Sequence, residues 1–171
     1  MRIYIYGEKV LADTAQPVGV ITSELCSLLN EMVLFMRDKH GVGLASPQIG
    51  VSQRFFVMDA GGKVRKVINP EILSFGNSTA EMEEGCLSLP GISMRVRRSK
   101  RIAVRYQNET GETVREELKD YPARVFQHEF DHLNGILFVD RIAQIARRMV
   151  IRDLERLAKK TEEVKYEAAR L

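Results

Sequence analysis

His128-Glu129-Phe130-Asp131-His132 decides how this chain folds and what it can bind. Upstream, Pro122 suits the first turn of a helix; downstream, Gly135 suits a C-terminal cap. The spacing therefore predicts a helix from about Pro122 to Asn134. Four residues turn about 400° on a helix, so His128 and His132 lie one above the other. Their imidazoles can converge on one metal ion. Glu129 follows the first of them, where its carboxylate can reach a water held by that ion. A solvated helix can spell so short a pattern by chance, but the chain has three His in all and two of them stand here.

Two imidazoles fall short of the three protein ligands usual in a catalytic zinc-type centre. The run from His128 to Gly135 matches the start of the metzincin pattern H-E-x-x-H-x-x-G-x-x-H. Its last His would fall where this chain has Phe138. A downstream Glu, as in thermolysin-like proteases, leaves Glu155 and Glu162, both on a segment that reads as a charged outer helix face. Cys86, in Glu84-Gly85-Cys86-Leu87-Ser88-Leu89-Pro90, is the better candidate. The glycine before it lets the backbone approach a ligand, and a cation stabilises a thiolate. Taken alone, the segment reads equally as a strand with a small buried hydrophobe.

Gly41-Val42-Gly43-Leu44-Ala45-Ser46-Pro47-Gln48 is a glycine-bounded loop after a helix. It has neither the lysine nor the spacing of a phosphate loop. Backbone groups left free around Gly43 could pair with an extended peptide, as in strand addition. Gln48 could donate its amide to a developing oxyanion. The plain alternative is an ordinary loop with one surface Gln.

Together and in this order, G-V-G-L-A-S-P-Q at 41–48, E-G-C-L-S at 84–88 and H-E-F-D-H at 128–132 closely resemble the three motifs of the peptide deformylase family. The resemblance in length, order and spacing extends over nearly the whole chain. It implies removal of the formyl group from the N-terminal Met of new polypeptides. It implies Cys86, His128 and His132 as metal ligands and Glu129 as general acid/base, with Gln48 and the Leu87 backbone N–H as oxyanion donors. The family's usual metal is Fe²⁺, with Zn²⁺, Ni²⁺ or Co²⁺ able to take the site. Val42, Gly43 and Val125, with the stem of Arg124, are expected around the substrate, since Val125 and Arg124 precede His128 on the same helix. One departure is visible: where the family usually has two alanines, this chain has Ala45-Ser46, which puts packing beside the metal helix in question. Two rival readings remain at this stage. One is an H-E-x-x-H endopeptidase with its third ligand on the last helix. The other is a non-enzymatic metal- or peptide-binding module that keeps the fold without the reaction.

Around these motifs the chain reads as α+β. Antiparallel strands should pack around the metal-binding helix, with an N-terminal helix and a C-terminal amphipathic helix, in a single domain over 1–171. Strands are expected at 3–6, 54–58, 63–68, 100–107 and 113–118, with turns at Gly61-Gly62 and Asn108–Gly111. Leu25, Leu28, Leu29, Met32, Val33 and Met36 recur at helical spacing between Ile21 and Lys39, with Thr22 or Ser23 as N-cap and Cys26 as a buried packing residue. A last helix over about 140–169 should turn Ile142, Ile145, Met149, Leu154 and Leu157 toward the core. His40 is expected to be an exposed bystander, and Asp131 the partner of an arginine from the Arg95–Arg101 run.

Net charge is +3, too small by itself to argue for nucleic acid. Residues 141–171 carry nine Lys/Arg against five Asp/Glu, net +4, which leaves −1 for the rest. That basic tail is a solvated face or a docking surface, and by family analogy the ribosome is its expected partner. Two cysteines do not make a disulfide framework. No signal-peptide run or membrane-length apolar stretch is visible, so a reduced, cytoplasmic protein without membrane partners is expected.

Overall fold

The structure, a computed structural model, describes the backbone of residues 1–168 and the side chains through Thr161. Strands β1 (Gly43–Ala45), β2 (Phe55–Ala60), β3 (Lys63–Phe75), β6 (Arg101–Gln107) and β7 (Thr113–Lys119) form one sheet in the order β1-β2-β3-β6-β7. Strands β4 (Thr79–Gly85) and β5 (Ser93–Ser99) form a second, two-stranded sheet. All these pairings are antiparallel. Helix α1 (Ser23–Asp38) precedes the sheets, α2 (Asp120–His132) follows β7, and α3 (Gln144–Ala168) ends the described chain. The α+β class holds, with α2 at the centre.

Alternation along β2 explains the layering. Phe55 and Val57 face one side, where they pack with Leu25, Leu29, Met32 and Met36 of α1. Phe56 and Met58 face the other, where they pack with Ala123 and Phe126 of α2. Successive strand residues point to opposite faces, so the apolar run Phe55–Met58 requires a cover on both. All four of these β2 side chains are fully buried, each worth about 1.5–3 kcal/mol relative to exposure. The Thr22 hydroxyl caps α1 by accepting from the Leu25 N–H at 3.3 Å. Gly135, at φ 68°, closes the turn after α2.

Several expectations are corrected. Residues 3–6 form no strand; the Tyr4 and Tyr6 N–H groups serve loops rather than a ladder. Strand β3 runs on past Ile68, because Asn69 sits at φ 51° and the register shifts there as a bulge instead of ending. The β4–β5 hairpin was not foreseen: its outward faces are charged, so neither strand shows an apolar alternation. Cys26 is half-buried, its thiol donating to the Glu109 carbonyl at 3.4 Å, and both cysteines are free. Helix α3 starts at Gln144 and does turn Leu154, and in part Leu157, onto Leu89, Val96 and Phe138, while Ile142 packs there from the bend before it. Ile145 and Met149, however, are each 78% exposed. Five residues past Met149, Leu154 is rotated by about 140° around the helix, so the two cannot face the body together. The last three residues of the chain, including the end of the helix expected over 140–169, lie outside the described residues.

Candidate metal centre

Helix α2 crosses behind β1 and β2 with Phe126 inward, its ring edge-on to Phe56 at 5.0 Å. That anchors the opposite face of α2 over a cavity of about 510 Å³. The cavity is lined by Val42, Gly43 and Gln48 from the first motif, Glu84, Cys86 and Leu87 from the second, and Val125, His128 and Glu129 from α2. Ligand atoms of Cys86, His128 and His132 all lie within 4.8 Å of one another. Cys86 Sγ is 3.3 Å from His132 Nε2, and the two rings are 5.1 Å apart. Among the described residues no other group of three His, Cys, Asp or Glu converges in this way. Glu155 is exposed on α3 and is not part of it; the Glu162 side chain lies outside the described residues.

Glu84 stands directly behind the cluster. Its carboxylate is 3.0 Å from His128 Nδ1, which leaves Nε2 to face Cys86. The same carboxylate accepts from Arg98 at 2.8 and 2.9 Å and from Arg124 at 2.5 Å. Arg98 also donates to Asp131 at 2.6 Å, and Arg141 joins Asp131 from the far side at 3.0 Å. Asp131 therefore does pair with an arginine of the 95–101 run. Arg124 does more than wall the cavity: its guanidinium holds Glu84 and the Val96 and Ala80 carbonyls. Burial opposes charge on Glu84, but the hydrogen bonds from His128 and Arg98 outweigh it and bring the carboxyl down to about 2. Burial likewise opposes charge on His128, yet the hydrogen bonds to Cys86 and Glu84 raise it to about 10. His132 is pushed well below its ordinary value by burial and by the nearby charge of His128.

Glu129 is buried beside these ligands, and its Oε2 has no hydrogen-bond partner. Burial raises its carboxyl to about 7. Gly43 of β1 faces it so closely that any Cβ there would overlap the carboxylate. Gln48 sits in a short 3₁₀ turn, Ser46–Ile49. Its Oε1 accepts from the Ala45 N–H at 2.8 Å, which orients Nε2 toward Cys86 Sγ and Ser88 Oγ, each at 3.3 Å. The departure at Ser46 is absorbed: that side chain is fully buried and its hydroxyl donates to the Gln53 carbonyl. Of the remaining expected residues, Val42 is 40% exposed at the rim and Val125 is 4% exposed beneath it. His40 is exposed as expected but also lines the cavity mouth, with Tyr121. Glu84, Arg98 and Ser88 were missed as site residues. The acid heading E-G-C-L-S was the available signal for Glu84; nothing local marks Arg98.

The family model for polypeptide deformylase matches residues 1–148. The peptide deformylase of Thermotoga neapolitana is 51% identical over 158 residues, covering 92% of this chain and 96% of its own. That of Fusobacterium nucleatum is 47% identical over 169 residues, covering 97% of each. The crystal structure of the Thermotoga maritima peptide deformylase superimposes with a TM-score of 0.81 at 54% identity, covering 83% of this chain and 97% of that one. Arabidopsis thaliana peptide deformylase 1B superimposes with a TM-score of 0.91 at 33% identity, covering 95% of this chain and 93% of that one. With its three motifs gathered around one cavity and this likeness along most of its length, the chain belongs to the polypeptide deformylase family.

Proposed function

We propose that Cys86, His128 and His132 hold one divalent cation, that Glu129 moves the proton, and that Gln48 and the Leu87 N–H stabilise the oxyanion. The family consists of metal-dependent hydrolases that remove the N-formyl group from nascent polypeptides, and that is the activity of this chain. The observation that carries the residue assignment is the convergence of one sulfur and two ring nitrogens beside a buried carboxylate with a free oxygen. A cation bound there supplies Lewis acidity, making water a source of hydroxide near neutral pH and polarising the formyl carbonyl.

Glu129 takes the proton of the attacking water and returns it to the departing amine. Burial raises this carboxyl and so helps it hold the proton between the two transfers. Gln48 Nε2, held from behind by Ala45, points its N–H into the cavity where charge develops on the formyl oxygen. One such donor is typically worth about 2.7–4 kcal/mol in the transition state. Val42 and Val125 offer apolar walls to the Met side chain, and the Gly43 backbone pairs with the peptide. Formyl carries only hydrogen beyond its carbonyl, so a tight space at the cation admits it better than acetyl. Equal cleavage rates for formyl-Met and acetyl-Met peptides would exclude that selectivity. The decisive experiment is formate release from a formyl-Met peptide by anaerobically purified protein, with metal analysis on the same sample. Cys86→Ala should lose both metal and formate release; a Cys86→Ala protein that keeps its metal returns the H-E-x-x-H endopeptidase reading.

We further propose Fe²⁺ as the resident metal, since a mixed N₂S donor set suits it, with Zn²⁺, Ni²⁺ or Co²⁺ as substitutes. Residues 1–171 act as one catalytic domain, supported by the packing of α3 against β5 and the N-terminal segment. No helix among the described residues is long and apolar enough to cross a membrane. A cytoplasmic site of action follows from the nascent-chain substrate. The basic tail is proposed to bring the enzyme to the ribosome; removing residues 155–171 should weaken that association without abolishing turnover of a short peptide, and unchanged, salt-insensitive association would count against it.

A further inference from the structure

We propose that the N-terminal segment Tyr4–Tyr6 is a positioning clamp that sets the two oxyanion donors, Gln48 and Leu87, relative to each other. The inference rests on the oxyanion roles assigned above. The Tyr4 N–H donates to the Gln48 carbonyl at 2.8 Å, and the Tyr6 N–H donates to the Ser88 carbonyl at 2.9 Å. One short piece of backbone therefore grips the residue that carries the first donor and the residue next to the second. Neither carbonyl belongs to a strand: Gln48 lies in the 3₁₀ turn and Ser88 in the turn after β4. Both residues are buried, and a buried carbonyl must find a donor. Here one segment supplies both donors.

Packing reinforces the grip on each side. The Tyr4 ring lies flush on Gly50, where a Cβ would come within 2.5 Å of it, and Gly50 itself is at φ 84°. Behind the segment, Thr161 of α3 donates to the Tyr6 carbonyl at 3.1 Å. Gly7 fits against Ala158 so closely that a Cβ would lie 2.8 Å from the Ala158 Cα. Residues 4–6 neither line the cavity themselves nor supply any of the three metal ligand atoms. Their influence on the reaction must pass through the placement of Gln48 and the 86–89 turn. Oxyanion donors act only within about 2.7–3.1 Å of the developing charge, so a loosened clamp lowers kcat and leaves KM and metal content in place.

Cys26 makes this testable atom by atom. Residues 1–25 can be synthesised and joined to the chain at that cysteine, so that an ester oxygen replaces a single backbone N–H. Esters replacing the Tyr4 or Tyr6 N–H should each lower kcat about tenfold, with KM and bound metal unchanged. An ester replacing the Ile5 N–H, which makes no hydrogen bond among those described, should leave kcat alone. The Tyr4 ester should cost nothing further in a Gln48→Ala enzyme, because the group it positions is gone. Full kcat in both esters, or a Tyr4-ester loss undiminished by Gln48→Ala, overturns the clamp. Full kcat in Gln48→Ala alone overturns the oxyanion assignment beneath it, so the two failures are told apart. If the esters fail to fold, recombinant Tyr4→Pro and Tyr4→Ala give the same contrast. Both lose the ring and only the first loses the N–H, so equal kcat in the two rejects the proposal.

Discussion

Replacing Glu84 by Gln keeps the side chain's size and removes one acceptor from a site that has none to spare. Oε1 accepts from Arg98 Nε and Arg124 Nη1; Oε2 accepts from Arg98 Nη2 and faces His128 Nδ1. Whichever way a glutamine amide turns, its NH₂ meets two donors. The two guanidinium groups also lose a buried counter-charge, and breaking a buried pair from one side costs about 3–5 kcal/mol. The carboxyl's fall from 4.5 to about 2 gives an independent estimate: at 1.36 kcal/mol per unit, about 3 kcal/mol. The sign follows from the direction of the shift. A carboxyl with a depressed folded pKa stabilises the protein fully above its unfolded value, near 4.5, and loses that contribution as pH falls toward 2. Urea unfolding of metal-free protein at pH 7 should therefore show Glu84→Gln less stable by about 3 kcal/mol. The gap to wild type should narrow below about pH 4.5. Metal affinity, read by chelator competition, should drop about 10–100-fold, since His128 loses the partner that fixes its tautomer. Stability within about 0.5 kcal/mol of wild type at pH 7, together with unchanged metal affinity, would refute the reasoning.

Gly43→Ala should retain metal but lose about 100-fold in kcat, because the new Cβ displaces the Glu129 carboxylate; steady-state kinetics with metal analysis would check it, and wild-type kcat would contradict the fit. Glu129→Gln should bind metal and turn over about 10²–10⁴-fold more slowly, with near-normal turnover arguing against proton transfer. The same variant carries a pH signature in the metal-free protein. The folded pKa of Glu129 is raised to about 7, so its ionisation costs wild-type stability progressively from about pH 4.5 to 7. Unfolding curves should show Glu129→Gln gaining on wild type across that window, and parallel pH profiles would mean the carboxyl is not desolvated as described.

The centre of the molecule was legible because its signals are local. Helix α2 carries both its periodicity and its two ligands within five residues, and β2 is apolar at every position it buries. The third ligand was not local: Cys86 reads as a packing residue until the other two motifs stand beside it. Glu84 and Arg98 escaped because their charges look solvated on strands whose neighbours, Glu83 and Arg97, are solvated. Only the fold shows that alternate positions of β4 and β5 turn these two inward to meet Asp131 and His128. Ile145 and Met149 misled for the opposite reason, being apolar residues at helical spacing that face away from the body. The segment at 3–6 has strand composition but bonds to turn carbonyls, a choice made by tertiary contacts.

X-ray absorption at the metal edge of anaerobically purified protein tests the central claim most directly. One sulfur and two imidazole nitrogens are predicted in the coordination shell, with the sulfur near 2.3 Å if zinc occupies the site. A wild-type spectrum without sulfur, from protein that releases formate, would contradict the account.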